Sequence, residues 1–143
     1  MSDNEPDAKQ AKSLGKGLLA GLIGGLVGAA AMAAAEHLLP RRTAADFETP
    51  DSAFALDEVH WSYGLAVGAA YGIAAEYFPS ATAKEGVTFG LTLEALAREG
   101  TPPALALITG TQPAPAVGFK TLTTHVVYGV ATEVVRGFVR KRL

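Results

Sequence analysis

Apolar runs alternate with polar, proline-containing segments along this chain, and the first run is the strongest. Gly17 to Ala35 is a stretch of nineteen residues without a charge, flanked by Lys16 and Glu36. A bilayer core of about 30 Å needs roughly 20 apolar residues in a helix. The stretch therefore predicts a membrane-spanning helix.

A cleaved signal peptide is the alternative for the same stretch. Its basic region would contain Lys9, Lys12 and Lys16, and its cleavage site would be Ala33-x-Ala35. However, the leader also carries acidic residues, and the apolar run exceeds the roughly 7–15 residues of a signal-peptide core. We therefore expect a polar N-terminal tail over residues 1–14 and a single helical transmembrane domain over residues 15–143.

Three further segments complete the predicted architecture. The second span covers residues 61–78 and ends before Pro79, and the last covers residues 119–135. The segment 86–110 is irregular, because the proline pair at residues 102–103 cannot continue a helix. The expected fold is an all-α integral membrane bundle of about four transmembrane helices, with the third short or broken. A soluble helical protein remains open as an alternative.

Glycine spacing predicts how these helices pack. In lipid, close helix packing depends on small residues repeated every four positions, because they let two backbones approach. The predicted packing positions are Gly17, Gly21, Gly24, Gly25 and Gly28 in the first span, Gly64, Gly68 and Gly72 in the second, and Gly129 in the last. We expect the first two glycine faces to contact each other. The number of these glycines suggests more small helix faces than four short helices can bury among themselves, which would favour self-association or a larger membrane complex.

Composition restricts the function classes. The net charge is −2, with 12 basic and 14 acidic residues and no basic stripe, which argues against a nucleic-acid partner. The absence of cysteine excludes disulfides and thiolate metal sites. We find no phosphate-binding, dinucleotide, zinc or nucleophile motif, so the sequence predicts no catalytic residue, no cofactor and no metal. Basic residues divide eight to four between the two sides, which favours cytoplasmic termini.

A polar pattern recurs within the apolar segments: an aromatic residue, glycine, three residues, then glutamate. It appears as Tyr71-Gly72 with Glu76, Phe89-Gly90 with Glu94, and Tyr128-Gly129 with Glu133, and histidines precede tyrosine-glycine pairs in the second and last spans. The candidate intramembrane network comprises His60, Glu76, Glu94, His125, Tyr128 and Glu133. Ionisable groups within membrane helices must pair, face the bundle interior or be neutral. We expect Glu94 to pair with His125, because the third and fourth segments are neighbours in the chain.

Three interpretations of these polar residues stay open. They could link helices, relay protons or ions, or hold a metal. Linking helices is the leading interpretation, because Glu76 and Glu133 lie near span ends, where side chains reach the interface. A metal site is the weakest, because few potential ligands are spaced three or four residues apart.

Three segments run from Tyr71 to Pro79, from Gly86 to Pro102 and from His125 to Arg136. Together they resemble the YagU-type family of small bacterial inner-membrane proteins of unknown function. The resemblance covers residues 15–140, and Glu94 departs from it. It implies a multi-span inner-membrane protein, with a loose association with acid tolerance in one branch. The leading hypothesis is a non-enzymatic structural or packing subunit. The alternative is a small transporter, channel or proton-handling protein.

Overall fold

The computed structural model describes residues 12–48, 58–99 and 118–143, and these residues are helical with no strand. The elements are α1 (Leu14–Leu38), α2 (Ala44–Glu48), α3 (Glu58–Tyr77), a 3₁₀ helix (Pro79–Gly86), α4 (Val87–Glu99) and α5 (Phe119–Arg140). The all-α prediction is confirmed. Residues 1–11 of the predicted tail and residues 100–110 of the predicted third segment lie outside the described residues.

Helix α1 packs against both α3 and α5, and α4 packs against α5. The N-terminus of α1 meets the C-terminus of α5, where Lys16 Nζ donates a hydrogen bond to the Leu143 carbonyl oxygen at 2.6 Å. We call this end of the bundle the terminal end; the 3₁₀ helix begins near it after Tyr77 and ends against Gly129, in the middle of α5. The opposite end, with α2 and the first turns of α3 and α5, is the distal end.

Glycines bring α1 and α3 into backbone contact, as their four-residue spacing predicts. A Cβ added to Gly21 would lie 2.8 Å from the Cα of Gly72, and one added to Gly25 would lie 2.8 Å from the Cα of Gly68. Gly17 meets the Gly72 carbonyl oxygen in the same way, at 2.8 Å. The two antiparallel helices therefore approach at a distance that leaves no room for a methyl group.

Other glycines bring α5 into similar backbone contact with α1 and α4. A Cβ on Gly24 would lie 2.6 Å from the Thr132 carbonyl oxygen of α5, and one on Gly129 would lie 2.8 Å from the Cα of Gly90. Among the glycines that the structure describes, Gly15 and Gly137 alone have room for a side chain. The expected excess of small faces was therefore wrong, because these faces are filled within the chain.

A tight turn leads into α4. Lys84, Glu85 and Gly86 have φ values of 53°, 54° and 87°, a left-handed conformation that favours glycine. A Cβ on Gly86 would lie 2.8 Å from the Cβ of Glu133, so glycine also allows the turn to contact α5. The turn directs α4 back along α5.

One described helix, α1, is long and apolar enough to cross a membrane, judged by length and composition. The 20 residues of α3 and 22 residues of α5 would reach about 30 Å and 33 Å, but polar and charged side chains interrupt their apolar runs. The 13 residues of α4 reach only about 20 Å. The helical bundle is therefore shown, and the four membrane spans are not.

Candidate functional site

A buried stripe on α5 faces α1, with a member every four residues. Its members are Thr124, Tyr128, Thr132, Arg136 and Arg140. Four-residue spacing places side chains on one helix face. The glycine face of α1 leaves room for this stripe, since a Cβ on Gly28 would lie 3.0 Å from the Tyr128 ring. Small residues on one helix thus accommodate large polar residues on the other.

At the terminal end, Glu76 of α3 forms a two-point ion pair with Arg140 of α5. Arg140 Nε donates to Glu76 Oε1, and Nη2 donates to Oε2 at 2.9 Å. The backbone N–H of Ser13 donates to Oε2 at 3.1 Å. The Arg140 and Glu76 side chains are only 7% and 6% exposed. This carboxylate therefore connects the start of α1 with the last turns of α3 and α5.

A second ion pair lies one turn deeper. Arg136 donates to both carboxylate oxygens of Glu133 at 2.6 Å, and the Tyr71 hydroxyl donates to the same carboxylate at 2.8 Å. The Arg136 guanidinium also lies 5.9 Å from the centre of the Tyr71 ring. We call the set Tyr71, Glu76, Glu133, Arg136 and Arg140 the ion-pair cluster.

The aromatic members of the recurring pattern meet in the bundle interior. The Tyr71 and Phe89 rings stack at 3.8 Å between centroids and 13° between planes, and Phe89 lies 5.9 Å from Tyr128. Tyr128 and Leu93 pack together with Ala29 in the apolar core. The recurring pattern is therefore a packing unit, in which each glycine admits a neighbouring backbone and each aromatic ring joins one central group.

The candidate network of six residues does not form one connected group. Glu76 and Glu133 belong to the ion-pair cluster. Tyr128 instead donates to the Gly64 carbonyl oxygen at 2.7 Å, and His60 Nε2 lies 3.3 Å from the Ala29 carbonyl oxygen. These two contacts link α5 to α3 and α3 to α1 through backbone carbonyls.

The structure gives His125 a backbone partner. His125 Nδ1 lies 2.9 Å from the Thr121 carbonyl oxygen one turn earlier in its own helix. Glu94 is buried on α4, and Gly90 of the same helix lies against the His125 backbone. The Thr121 carbonyl oxygen accounts for one of the two ring nitrogens, and the pair with Glu94 stays a prediction.

Asp46 of α2 was not predicted as a site residue, yet it joins the distal loop to α5. One carboxylate oxygen accepts from the backbone N–H groups of Arg42 at 2.9 Å and Thr43 at 2.8 Å, and the other accepts from the Lys120 N–H at 2.8 Å. Helix α5 begins after Gly118, which has no side chain to cap it. Asp46 therefore supplies the N-terminal cap from another segment.

Hydrogen bonding governs the ionisation of this carboxyl. Burial raises the pKa of Asp46, but bonds from the N–H groups of Arg42, Thr43 and Lys120 and from the Thr43 hydroxyl outweigh it and lower the pKa from 3.8 to about 2. A lowered folded-state pKa stabilises the fold above the unfolded-state pKa. The stabilisation is complete above 3.8 and is lost as the pH falls towards 2.

We expect Asp46→Asn to lower the thermal unfolding midpoint at pH 6 and to have a much smaller effect near pH 2, where the wild-type carboxyl is losing its charge. Unfolding measured over this pH range checks the difference between the two proteins. Glu58→Gln is the matched control, because Glu58 is an exposed carboxylate at the same end. A difference for Asp46→Asn that stays constant with pH would show that the charge does not matter.

The geometry of the ion-pair cluster links helices. Each carboxylate of the ion-pair cluster is held by two donors of one arginine. Within the described ranges, no group of three or more histidine, aspartate or glutamate side chains could hold a metal ion. Comparisons with protein-family models, curated proteins and solved structures found no match to this chain.

Proposed function

We propose that this chain is a non-enzymatic, multi-span membrane protein that acts as a structural or packing subunit. The observation that carries the proposal is the distribution of its side chains. The largest fully buried side chains are Thr124, Thr132 and Asp46, whereas large apolar side chains lie on the outside. In water, the hydrophobic effect favours the opposite arrangement.

The outer surface of α1 supports this most directly. Its glycine and alanine face is buried, while its leucine, isoleucine and valine side chains point outward. The exposed ones are Leu14, Leu18, Leu19, Ile23, Leu26, Val27 and Leu38. Lipid tails solvate such a surface at no cost, and helices in lipid associate through small residues. The exposed Leu91, Leu96, Val134 and Phe138 extend the apolar exterior over α4 and α5.

The ion-pair cluster supports a structural role within such a protein. Ionisable groups in membrane helices face the interior and pair with one another. Glu76 and Glu133 follow this rule with Arg140 and Arg136. Because each charge is matched and each carboxylate links separate elements, the cluster serves to hold α1, α3 and α5 together.

The resemblance to the YagU-type family adds a bacterial inner-membrane location to this proposal. The bundle geometry agrees with an even number of crossings, since α1 begins and α5 ends at the terminal end. Exposed lysines and Arg142 lie at this end, so the positive-inside rule orients it towards the cytoplasm.

Fractionation tests the location, and sizing tests the subunit role. We expect the protein to remain in the pellet after a carbonate wash and to run above monomer size on a blue-native gel in mild detergent. Recovery in the aqueous supernatant would contradict the membrane assignment. A clean monomer would contradict association with itself, and the apolar exterior would then contact lipid alone.

Proton handling is the second candidate, favoured by the burial of Glu94 on α4. A carboxyl in this position can exchange a proton if water reaches it. Proteoliposomes loaded with a pH-sensitive dye distinguish the candidates. A structural protein gives no proton flux above empty liposomes, whereas a relay gives flux that Glu94→Gln abolishes.

A further inference from the structure

We propose that the terminal end of the bundle binds the phosphate groups of anionic lipids through its exposed lysine and arginine side chains. This inference rests on the membrane location proposed above and adds a partner to it. It concerns charges that lie outside the ion-pair cluster.

The exposed basic residues of the terminal end come from the start of α1 and from residues 141–142. They are Lys12, Lys16, Lys141 and Arg142. Lys16 reaches the Leu143 carbonyl oxygen, which shows that the first turn of α1 and residue 143 share this surface. Four cations from two parts of the chain thus lie at the same end of the bundle.

Internal pairing leaves this surface positive. Glu76 and Glu133 would offset the lysines, but they are buried against Arg140 and Arg136. Among the described residues of the terminal end, no acidic side chain is exposed. The four exposed cations therefore face no exposed acidic side chain within that part of the chain.

Apolar and aromatic side chains surround the same charges. Phe78 is 65% exposed and Phe138 is 56% exposed, and the Arg142 guanidinium lies over the Phe138 ring. Basic side chains next to exposed aromatic rings are typical of the lipid headgroup layer. Each lysine or arginine near an anionic membrane surface adds to the attraction. The surface therefore suits the phosphate of a lipid headgroup better than it suits a dissolved anion.

The distal end provides the contrast. Among the distal residues whose side chains the structure describes, the cations Arg41, Arg42 and Lys120 are equal in number to the anions Glu36, Asp46 and Glu58. Arg42 lies over the Phe119 ring at 5.1 Å, so it offers an exposed cation in a neutral setting. Removing the Arg42 charge is thus a matched control for removing charges at the terminal end.

The experiment titrates the purified protein, in an uncharged mild detergent, with short-chain phosphatidylglycerol or with phosphatidylcholine of the same chain length. The readout is the thermal unfolding midpoint followed by the fluorescence of Trp61. We expect phosphatidylglycerol to raise the midpoint and phosphatidylcholine to have little effect, because a ligand stabilises the state that it binds. High salt should reduce the difference.

The triple variant Lys12→Gln, Lys141→Gln, Arg142→Gln should bind phosphatidylglycerol about tenfold more weakly or worse. Arg42→Gln should bind it as the wild type does, and Lys12→Arg with Lys141→Arg should retain binding because the charge is kept. Circular dichroism checks that each variant is folded.

Three results would overturn the inference: equal stabilisation by both lipids, undiminished binding by the triple variant, or full reproduction of the effect by inorganic phosphate. If the protein stays in carbonate-washed membranes but shows no preference for anionic lipid, this inference fails and the membrane assignment stands. If the protein is recovered in the supernatant, both fail.

Discussion

Gly68→Ala is expected to destabilise the bundle by about 1–3 kcal/mol, although alanine is the better helix former. The added Cβ would lie 2.6 Å from the Gly21 carbonyl oxygen and 2.8 Å from the Gly25 nitrogen. These are backbone atoms, which cannot turn aside as a flexible side chain can. The helices α1 and α3 must then separate, and the loss should grow further with Gly68→Leu. Unfolding by added dodecyl sulfate in mild detergent measures the change.

Gly15→Ala is the matched control, and it should change stability in the opposite direction. Gly15 also lies in α1, but nothing stands within 4 Å of the position that a Cβ would take. Only the helix-propensity gain remains there, up to about 1 kcal/mol. Equal effects of Gly15→Ala and Gly68→Ala would mean that the two glycine faces are not in contact.

Arg140→Gln is expected to cost about 3 kcal/mol or more, because it leaves the Glu76 carboxylate buried without its arginine. The two side chains are 7% and 6% exposed, so water cannot replace the lost partner. Glu76→Gln should have a similar effect, since it strands the guanidinium. The same dodecyl sulfate unfolding assay measures both variants.

The double variant Glu76→Gln, Arg140→Gln should lose less than the two single losses added together, because neither charge is then stranded. Arg142→Gln, two residues further along at an exposed position, should change stability by no more than about 0.5 kcal/mol. Additive losses in this cycle would contradict the buried pair.

The contact between α1 and α3 could be predicted because the four-residue spacing of glycines alone determines which residues share a helix face. Residues four apart lie on one helix face, so Gly64, Gly68 and Gly72 predict a bare face without knowledge of the rest of the fold. The partner face of α1 was predicted in the same way. What the spacing could not give was the number of surfaces that each helix buries. Gly24 and Gly28 face α5, so the expectation of excess small faces was wrong.

The arginines were missed because their position suggested a different role. Arg136 and Arg140 stand at the end of an apolar run, where basic residues commonly mark the cytoplasmic side. Their four-residue spacing from Thr132 was the available signal, since it continues the buried stripe of α5. Glu76 and Glu133 were recognised, but their partners come from side chains then assigned to solvent.

Contacts between distant segments were beyond the sequence pattern. Asp46 caps α5 across more than seventy residues, and a single aspartate in a polar loop carries no sign of such a partner. His125 shows a local contact that the spacing of the segments did not suggest. The proximity of the third and fourth segments suggested a pair with Glu94, but His125 Nδ1 lies 2.9 Å from a carbonyl oxygen one turn away. Local backbone acceptors compete with every distant side chain.

The proposed membrane location requires the large apolar side chains of the protein to face lipid, and cysteine accessibility tests this most directly. The chain contains no native cysteine, so Leu26→Cys and Arg142→Cys can each be labelled with a membrane-impermeant maleimide in intact and inverted membrane vesicles. Leu26 lies in the middle of α1 and is 45% exposed on the bundle surface. We predict no labelling of Leu26→Cys from either side until the membrane is dissolved and the protein denatured, and labelling of Arg142→Cys from the cytoplasmic side alone. Rapid labelling of Leu26→Cys without detergent, at the rate seen for Arg142→Cys, would place that surface in water and contradict the account.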